Sequence, residues 1–409
     1  MKHLASLKVD PVKPSERYVI LDVLRGIALV GICLANYPEF SLYTFQQKEV
    51  VEAMPTAGID HLWRFFHYTL IDGKFYSLFS LLFGIGFSII LSKAVQQGKG
   101  LGIFYRRMFI LAGIGFVHLI FLWAGDILLL YALVGLLLPL FRNVSNRKLL
   151  LISASLILFP IAIDAFRVLT DNRFTLLIPV EKAIRHFSAQ NGITDDNFPV
   201  WLLEGKNYPE VLKFNLPGSF IRCREFIEGC RVFKVLGLFL LGLYIGRNRI
   251  YAQLNERMAL LTKIRNYGFL AGLPLSCLFA WSELNHHPMG LVANAAVYAL
   301  SVVPLSLAFA SAICIWYARH QDLKFFRIVA APGRMALTNY IGQSVIGMIL
   351  FYGIGFGWAL MGLIYVELIA AGVFVFQILA GNVWLRYFRF GPLEWIWRML
   401  TYGKWLKIN

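Results

Sequence analysis

Residues 17–37 read RYVILDVLRGIALVGICLANY, an apolar run long enough to cross a bilayer that nonetheless carries an aspartate and an arginine. Twenty helical residues at a rise of about 1.5 Å each span roughly 30 Å, the thickness of a hydrocarbon core. At about 100° per residue, Asp22, Arg25, Gly26, Leu29, Cys33 and Asn36 fall within one stripe, while Ile20, Val23, Leu24, Ile27 and Leu34 cover much of the remainder. One face is polar or small and the others are lipid-like. A charge in a membrane segment costs at least a few kcal/mol unless it is paired or faces a polar interior, so this stripe reads as the wall of a polar cavity inside a helical bundle. A bare Asp22 and Arg25 pair that locks the helix at the cytoplasmic interface fits the same residues.

The rest of the chain supports that class. With 58% hydrophobic residues, 15% charged residues and a mean hydropathy of +0.64 over 409 residues, it holds repeated apolar runs of bilayer length that one soluble core does not require. Further spans are expected at 75–95, 103–123, 126–142, 148–168, 232–247, 262–282, 290–316, 334–354 and 357–380. This predicts a single all-α polytopic membrane domain over residues 1–409 with about ten transmembrane helices. Lys and Arg gather in alternate short connections and in both tails, whereas the short connections near 124, 285 and 356 have none. By the positive-inside rule both termini are cytoplasmic. The net charge of +16 is then the mark of those loops, and no nucleic-acid partner is implied. Residues 1–15 have prolines and lysines but no apolar core or small-residue cleavage site, so no removable signal peptide is expected.

Two long segments fall outside. Residues 38–73 end in HLWRFFHYTLID, where Trp63, Phe66 and Leu70 at helical spacing suggest an interfacial helix that feeds directly into Gly73-Lys74 and the second span. Residues 169–231 are the least hydrophobic part and should form a small extracytoplasmic cap of short helices and loops. Cys223 and Cys230 lie there. A continuous helix would hold them about 10 Å apart, too far to bridge. No zinc spacing is present, and no metal or permanently bound cofactor is expected. Gly84, Gly86, Gly113, Gly115, Gly242 and Gly246 read as close-packing positions between helices rather than phosphate loops.

Sorting polar residues by depth gives the candidate site. Asn36 lies roughly 21 Å along the first span from Asp22, at its outer end. His118 falls in the outer half of an outward-running span, and the turn Trp123-Ala124-Gly125-Asp126 places Asp126 level with it. Asn36, His67, Asp72, Lys74, His118 and Asp126 are therefore expected to converge outside. A histidine beside a carboxylate is the ordinary apparatus of general-base catalysis. A buried histidine that only bonds a neighbouring helix is the commoner arrangement. Asn339 and Gln343, four apart on one helix face, read as helix glue or cavity lining. Glu367, placed at mid-membrane by the 357–380 span, needs a partner such as Arg25.

LDVLRGIALVGICLAN (21–36), GKFYSLFSLLFGIGF (73–87), GDILLLYALVGL (125–136), GRMALTNYIGQS (333–344) and RFGPLEWIWRMLTYG (389–403) together resemble the YeiB-like family of bacterial membrane proteins, the domain of unknown function 418. That resemblance implies the bacterial cytoplasmic membrane and secures architecture more than activity. More distantly, the Leu-Asp-x-x-Arg-Gly opening of the first span is similar to the transmembrane acyltransferases, which move an acyl group from cytosolic acyl-CoA to an extracytoplasmic sugar or similar acceptor. In the acyltransferase-3 group a histidine stands about eleven residues after that arginine; here the position is Asn36, and an amide is no base. On this reading acyl-CoA is the donor substrate, a small-molecule, glycan or lipid acceptor waits outside, Asp22, Arg25, Asn36, His67, Lys74, Asn339, Gln343 and Glu367 line the substrate path, and His118 with Asp126 carries catalysis. A transporter or lipid-binding protein without covalent chemistry remains the alternative.

Overall fold

The computed structural model describes residues 18–96, 100–171 and 177–408. Arg17 and the N-terminal tail, with the reading that it holds no removable signal, lie outside the described residues. Within them the regular structure is helical, with no strand. The helices are α1 (Val19–Phe40), α2 (Lys48–Glu52), α3 (Ala57–Phe66), α4 (Lys74–Gln96), α5 (Gly102–Phe121), α6 (Leu128–Gly135), α7 (Asn146–Leu169), α8 (Ile178–Asn191), α9 (Trp201–Glu204), α10 (Tyr208–Glu228), α11 (Arg231–Arg247), α12 (Met258–Leu284), α13 (Gly290–Arg319), α14 (Lys324–Arg334), α15 (Ala336–Phe351), α16 (Leu363–Tyr387) and α17 (Pro392–Tyr402). Six stretches among the described residues are long and apolar enough to cross a membrane: α1, residues Ala57–Gln96, α5, α7, α13 and α16. Helix α12 runs 27 residues, and α11 and α15 have 17 and 16. Large apolar side chains such as Leu368, Phe376 and Leu379 on α16 and Leu151 and Leu169 on α7 point outward. Surfaces this apolar are unusual against water and ordinary against lipid.

Helix α1 is the hub, packed against α4, α14, α15 and α16. Its closest neighbour is α14. A Cβ on Gly26 would collide with the Val329 carbonyl, and one on Gly333 with the Asp22 carbonyl, so the two backbones touch at the level of the charged pair. Gly84 and Gly242 let α4 and α11 meet in the same way, while Gly86 and Gly113 face open space.

Several elements depart from the sequence-based expectation. The span expected at 126–142 breaks: α6 has eight residues and gives way to a 3₁₀ turn at Leu138–Phe141, because Pro139 lacks the N–H that would continue the ladder. The helix expected from 357 starts at Leu363, where the Asp60 carboxylate accepts the N–H groups of Leu363 (3.0 Å) and Ile364 (2.9 Å). The amphipathic helix expected before the second span is present as α3, extended by a π-helical turn at His67–Ile71, and it feeds into α4 across a turn at Asp72 and Gly73 (φ 74°), with Ile59, Leu62 and Phe66 exposed. Within 169–231 the helices are not all short, since α10 has 21 residues and packs on α8 and α5. Asn207 opens α10 by accepting the Glu210 N–H. Cys223 and Cys230 are free thiols.

Candidate functional site

A cavity of about 1700 Å³ runs along the polar stripe of α1, lined at one end by Asp22 and Arg25 and at the other by Asn36 and Glu39. Because α14 packs on the start of α1 and α17 packs on α5, bringing their basic residues to the Asp22 and Arg25 end, the two ends differ in kind. Around Asp22 and Arg25 the wall holds Arg107, Arg327, Arg334, Arg386, Arg389, Arg398 and Lys407, with Glu394 the other acid. Some of these cations rest on aromatic faces: the Arg107 guanidinium lies 3.7 Å from the Trp397 ring centroid and Arg398 lies 4.7 Å from that of Phe390. Arg25 donates to Asp22 at 2.9 Å. The middle is apolar, with Phe79, Phe83, Phe87, Phe104, Met108 and Leu111. At the far end Glu39 and Asp72 stand with Arg222, Arg231 and Lys234. Guanidinium groups at one end and aromatic walls in the middle suit an anionic head joined to a flexible apolar chain.

The histidine singled out by depth sits in a buried hydrogen-bonded network with Asp126 and Ser344. Helix α5 ends where the His118 carbonyl takes both the Leu122 and Trp123 N–H groups, and the Gly125 turn folds Asp126 back. Asp126 Oδ1 then meets His118 Nδ1 at 2.9 Å, while Oδ2 accepts the Leu129 N–H at 2.7 Å and opens α6. Arg222 of the cap clamps this turn from above, donating through Nη2 to the Gly125 carbonyl (2.6 Å) and through Nε to the Asp126 carbonyl (3.1 Å). On the far side, His118 Nε2 is 2.8 Å from Ser344 Oγ. All three side chains are buried, and neither His118 nor Asp126 is part of the cavity wall, though Gly125, Ile127 and Tyr340 beside them are.

The other expected site residues do not gather with them. Asp22, Arg25 and Asn36 line the cavity; His67, Lys74, Asn339, Gln343 and Glu367 lie behind its wall. Lys74 donates to the Tyr68 carbonyl at 2.6 Å. Glu367 pairs with His67, at 3.1 Å, and not with Arg25. The expectation for Glu367 failed because α16 begins at Leu363, which puts residue 367 in the opening turns near the π-turn of His67 instead of at mid-helix. The amides act as glue: Gln343 Nε2 donates to Gln377 Oε1 (3.0 Å), Gln377 Nε2 to the Asn339 carbonyl (2.9 Å), and Asn339 Nδ2 to the Pro332 carbonyl (3.1 Å). Among the described residues no His, Cys, Asp or Glu side chains cluster as a metal site.

Ser344, Arg222 and the arginine-rich cavity end carry geometry that sequence reading missed. Ser344 lies 226 positions from its histidine, and its type gives no signal alone. The arginines were legible only as topology markers, since their convergence depends on how α14, α16 and α17 close around α1. Glu394 was likewise missed: it accepts the Leu337 and Thr338 N–H groups and the Thr338 hydroxyl, seating α17 on the start of α15. Burial pushes its carboxyl above the ordinary carboxylate range against the pull of those bonds.

Fold and cavity together define, among the described residues, a helical bundle with membrane-length apolar helices and an arginine-rich cavity. Residues 245–404 match the family described as "Protein of unknown function (DUF418)". Over nearly its whole length the chain is similar to "Uncharacterized protein YxaH" of Bacillus subtilis (28% identity, covering 98% of each chain) and "Uncharacterized protein YeiB" of Escherichia coli (28%, 94% of this chain and 96% of the relative). The "Uncharacterized 39.9 kDa protein in amylase 3'region" of Bacillus acidopullulyticus is similar at 27% over 97% of each. The chain thus resembles the YeiB-like DUF418 proteins over nearly its whole length, with the family match itself confined to residues 245–404. No solved structure matches it.

Proposed function

We propose that this is a multi-pass protein of the bacterial cytoplasmic membrane, with about ten crossing segments, both termini inside and residues 169–231 outside, that passes an acyl group from cytosolic acyl-CoA to an extracytoplasmic acceptor. The observation that carries this reading is the single cavity joining an arginine-rich end, at the Asp22 and Arg25 level, to a far end at Asn36 and Glu39 through an apolar middle. Under the positive-inside rule the arginine-rich end faces the cytosol. Coenzyme A is a polyanion, and guanidinium groups are the usual partners of phosphate. The fourteen residues from Asp22 to Asn36 span roughly 21 Å of helix, a distance that a pantetheine arm with its acyl chain can follow. The acceptor, a hydroxyl or amine on a glycan, lipid or small molecule, would meet the thioester near the far end, where His118 and Asp126 lie one side chain behind the wall.

Binding of a long-chain acyl-CoA to the purified protein in nanodiscs tests this. The paired charge reversal Arg334→Glu with Arg389→Glu should weaken binding by about tenfold or more, since each lost phosphate contact is worth on the order of 1 kcal/mol. No measurable binding to the wild type would remove the acyl-CoA reading and favour translocation of another solute.

A further inference from the structure

Several buried helical serines of this protein satisfy their hydroxyls on carbonyls of their own helices, while Ser153 and Ser276 bond carbonyls of neighbouring elements. Ser80 bonds the Tyr76 carbonyl, Ser88 that of Ile85 and Ser306 that of Val302, the local bonding expected of serine in a helix. Ser344 does not. Its one hydrogen-bond partner among the described residues is His118 Nε2, at 2.8 Å. The direction of that bond follows from the rest of the network. Asp126 is acceptor-only when ionised, and its Oδ2 already holds the Leu129 N–H, so its Oδ1 requires a proton on His118 Nδ1. The other ring nitrogen then carries the lone pair, and Ser344 Oγ–H donates to it. A carboxylate that fixes the tautomer, an imidazole and a hydroxyl poised on its free nitrogen make the arrangement that activates a serine.

We propose that Ser344 is a nucleophile that carries the transferred acyl group as an ester, with His118 as its base and Asp126 as the residue that positions the imidazole. The identity of the acyl donor rests on the function proposed above. In the first half, Ser344 Oγ bonds to the thioester carbonyl carbon while its proton moves to His118 Nε2. The C–S bond breaks, and the departing coenzyme A thiolate takes that proton. In the second half an acceptor hydroxyl gives its proton to Nε2 and attacks the ester carbonyl, and Ser344 Oγ leaves and is reprotonated from the imidazolium. No oxidant or further reactant is needed. Ser344 is 2% exposed, so access requires a movement, and Tyr340 is the side chain to move. It lies one helical turn before Ser344, lines the cavity, and sets its ring centroid 5.2 Å from that of His118.

A long-chain alkyl fluorophosphonate, which phosphonylates activated serines and contains no coenzyme A, tests the nucleophile without the donor. Peptide mass mapping of the full-length protein in nanodiscs should find the adduct on Ser344, lost in Ser344→Ala. His118→Gln and Asp126→Asn should slow labelling by about 10²-fold or more, and Tyr340→Ala should speed it by opening the wall. Unchanged melting profiles would separate these effects from misfolding. Absence of a Ser344 adduct in both the wild type and Tyr340→Ala, or equal labelling rates in wild type and His118→Gln, would overturn the proposal. A protein that binds acyl-CoA yet forms no adduct loses only the nucleophile; one that forms the adduct without binding acyl-CoA loses only the donor.

Discussion

Arg222 shows how a single residue of α10 holds a turn far from it in sequence. Its guanidinium holds the carbonyls of Gly125 and Asp126 and pairs with Glu225 at 2.6 Å, so the turn that presents Asp126 to His118 is fixed from outside the bundle. Arg222→Ala leaves two buried carbonyls without donors, a loss on the order of 2 kcal/mol. We expect a clearly lowered melting temperature by scanning fluorimetry, with Arg222→Lys recovering only part of it because an ammonium cannot reproduce the planar fork. An Arg222→Ala protein that melts like the wild type would contradict this role. The contact between His118 and Asp126 was legible in the sequence, since Trp123-Ala124-Gly125 had to end a helix and turn. The partner of Glu367 was not, because the start of α16 is set by Asp60, about three hundred residues earlier, and no local pattern records that cap.

At the level of elements, Glu394 ties α17 to the start of α15, beside the Leu393 N–H that donates to Thr338 Oγ1 at 3.1 Å. By accepting two N–H groups of α15 it acts as a cap supplied from α17. Glu394→Ala should therefore raise amide hydrogen exchange at Leu337 and Thr338 while leaving α5 and α16 unchanged; equal exchange at those two amides in both proteins would show that the cap is dispensable. Apolar periodicity gave nearly every long helix, because its signal is local and sums over many residues. It failed at α6, where one proline interrupts a uniformly apolar run.

For the whole molecule, orientation and the use of the cavity are the claims at stake. The distribution of Lys and Arg predicts that residue 145 is cytoplasmic and residue 191 is not. Single cysteines at Ser145 and Asn191, in a background without the native thiols, should be labelled by a membrane-impermeant maleimide from opposite sides; labelling of both from one side would reverse part of the topology. The existence of a bundle was legible from composition alone, yet the chamber was not, because its arginine-rich end draws residues from α5, α14, α16 and α17 that sequence order keeps far apart. The most direct test of the account is photocrosslinking with an acyl-CoA that carries a diazirine on its chain, followed by mass mapping of the adducts. Acyl-CoA bound in the cavity should leave adducts on the cavity-facing Phe79, Phe83 and Met108, competed away by unlabelled acyl-CoA and lost in the Arg334→Glu, Arg389→Glu protein. Adducts confined to outward-facing positions such as Leu368 and Phe376, and insensitive to competitor, would contradict it.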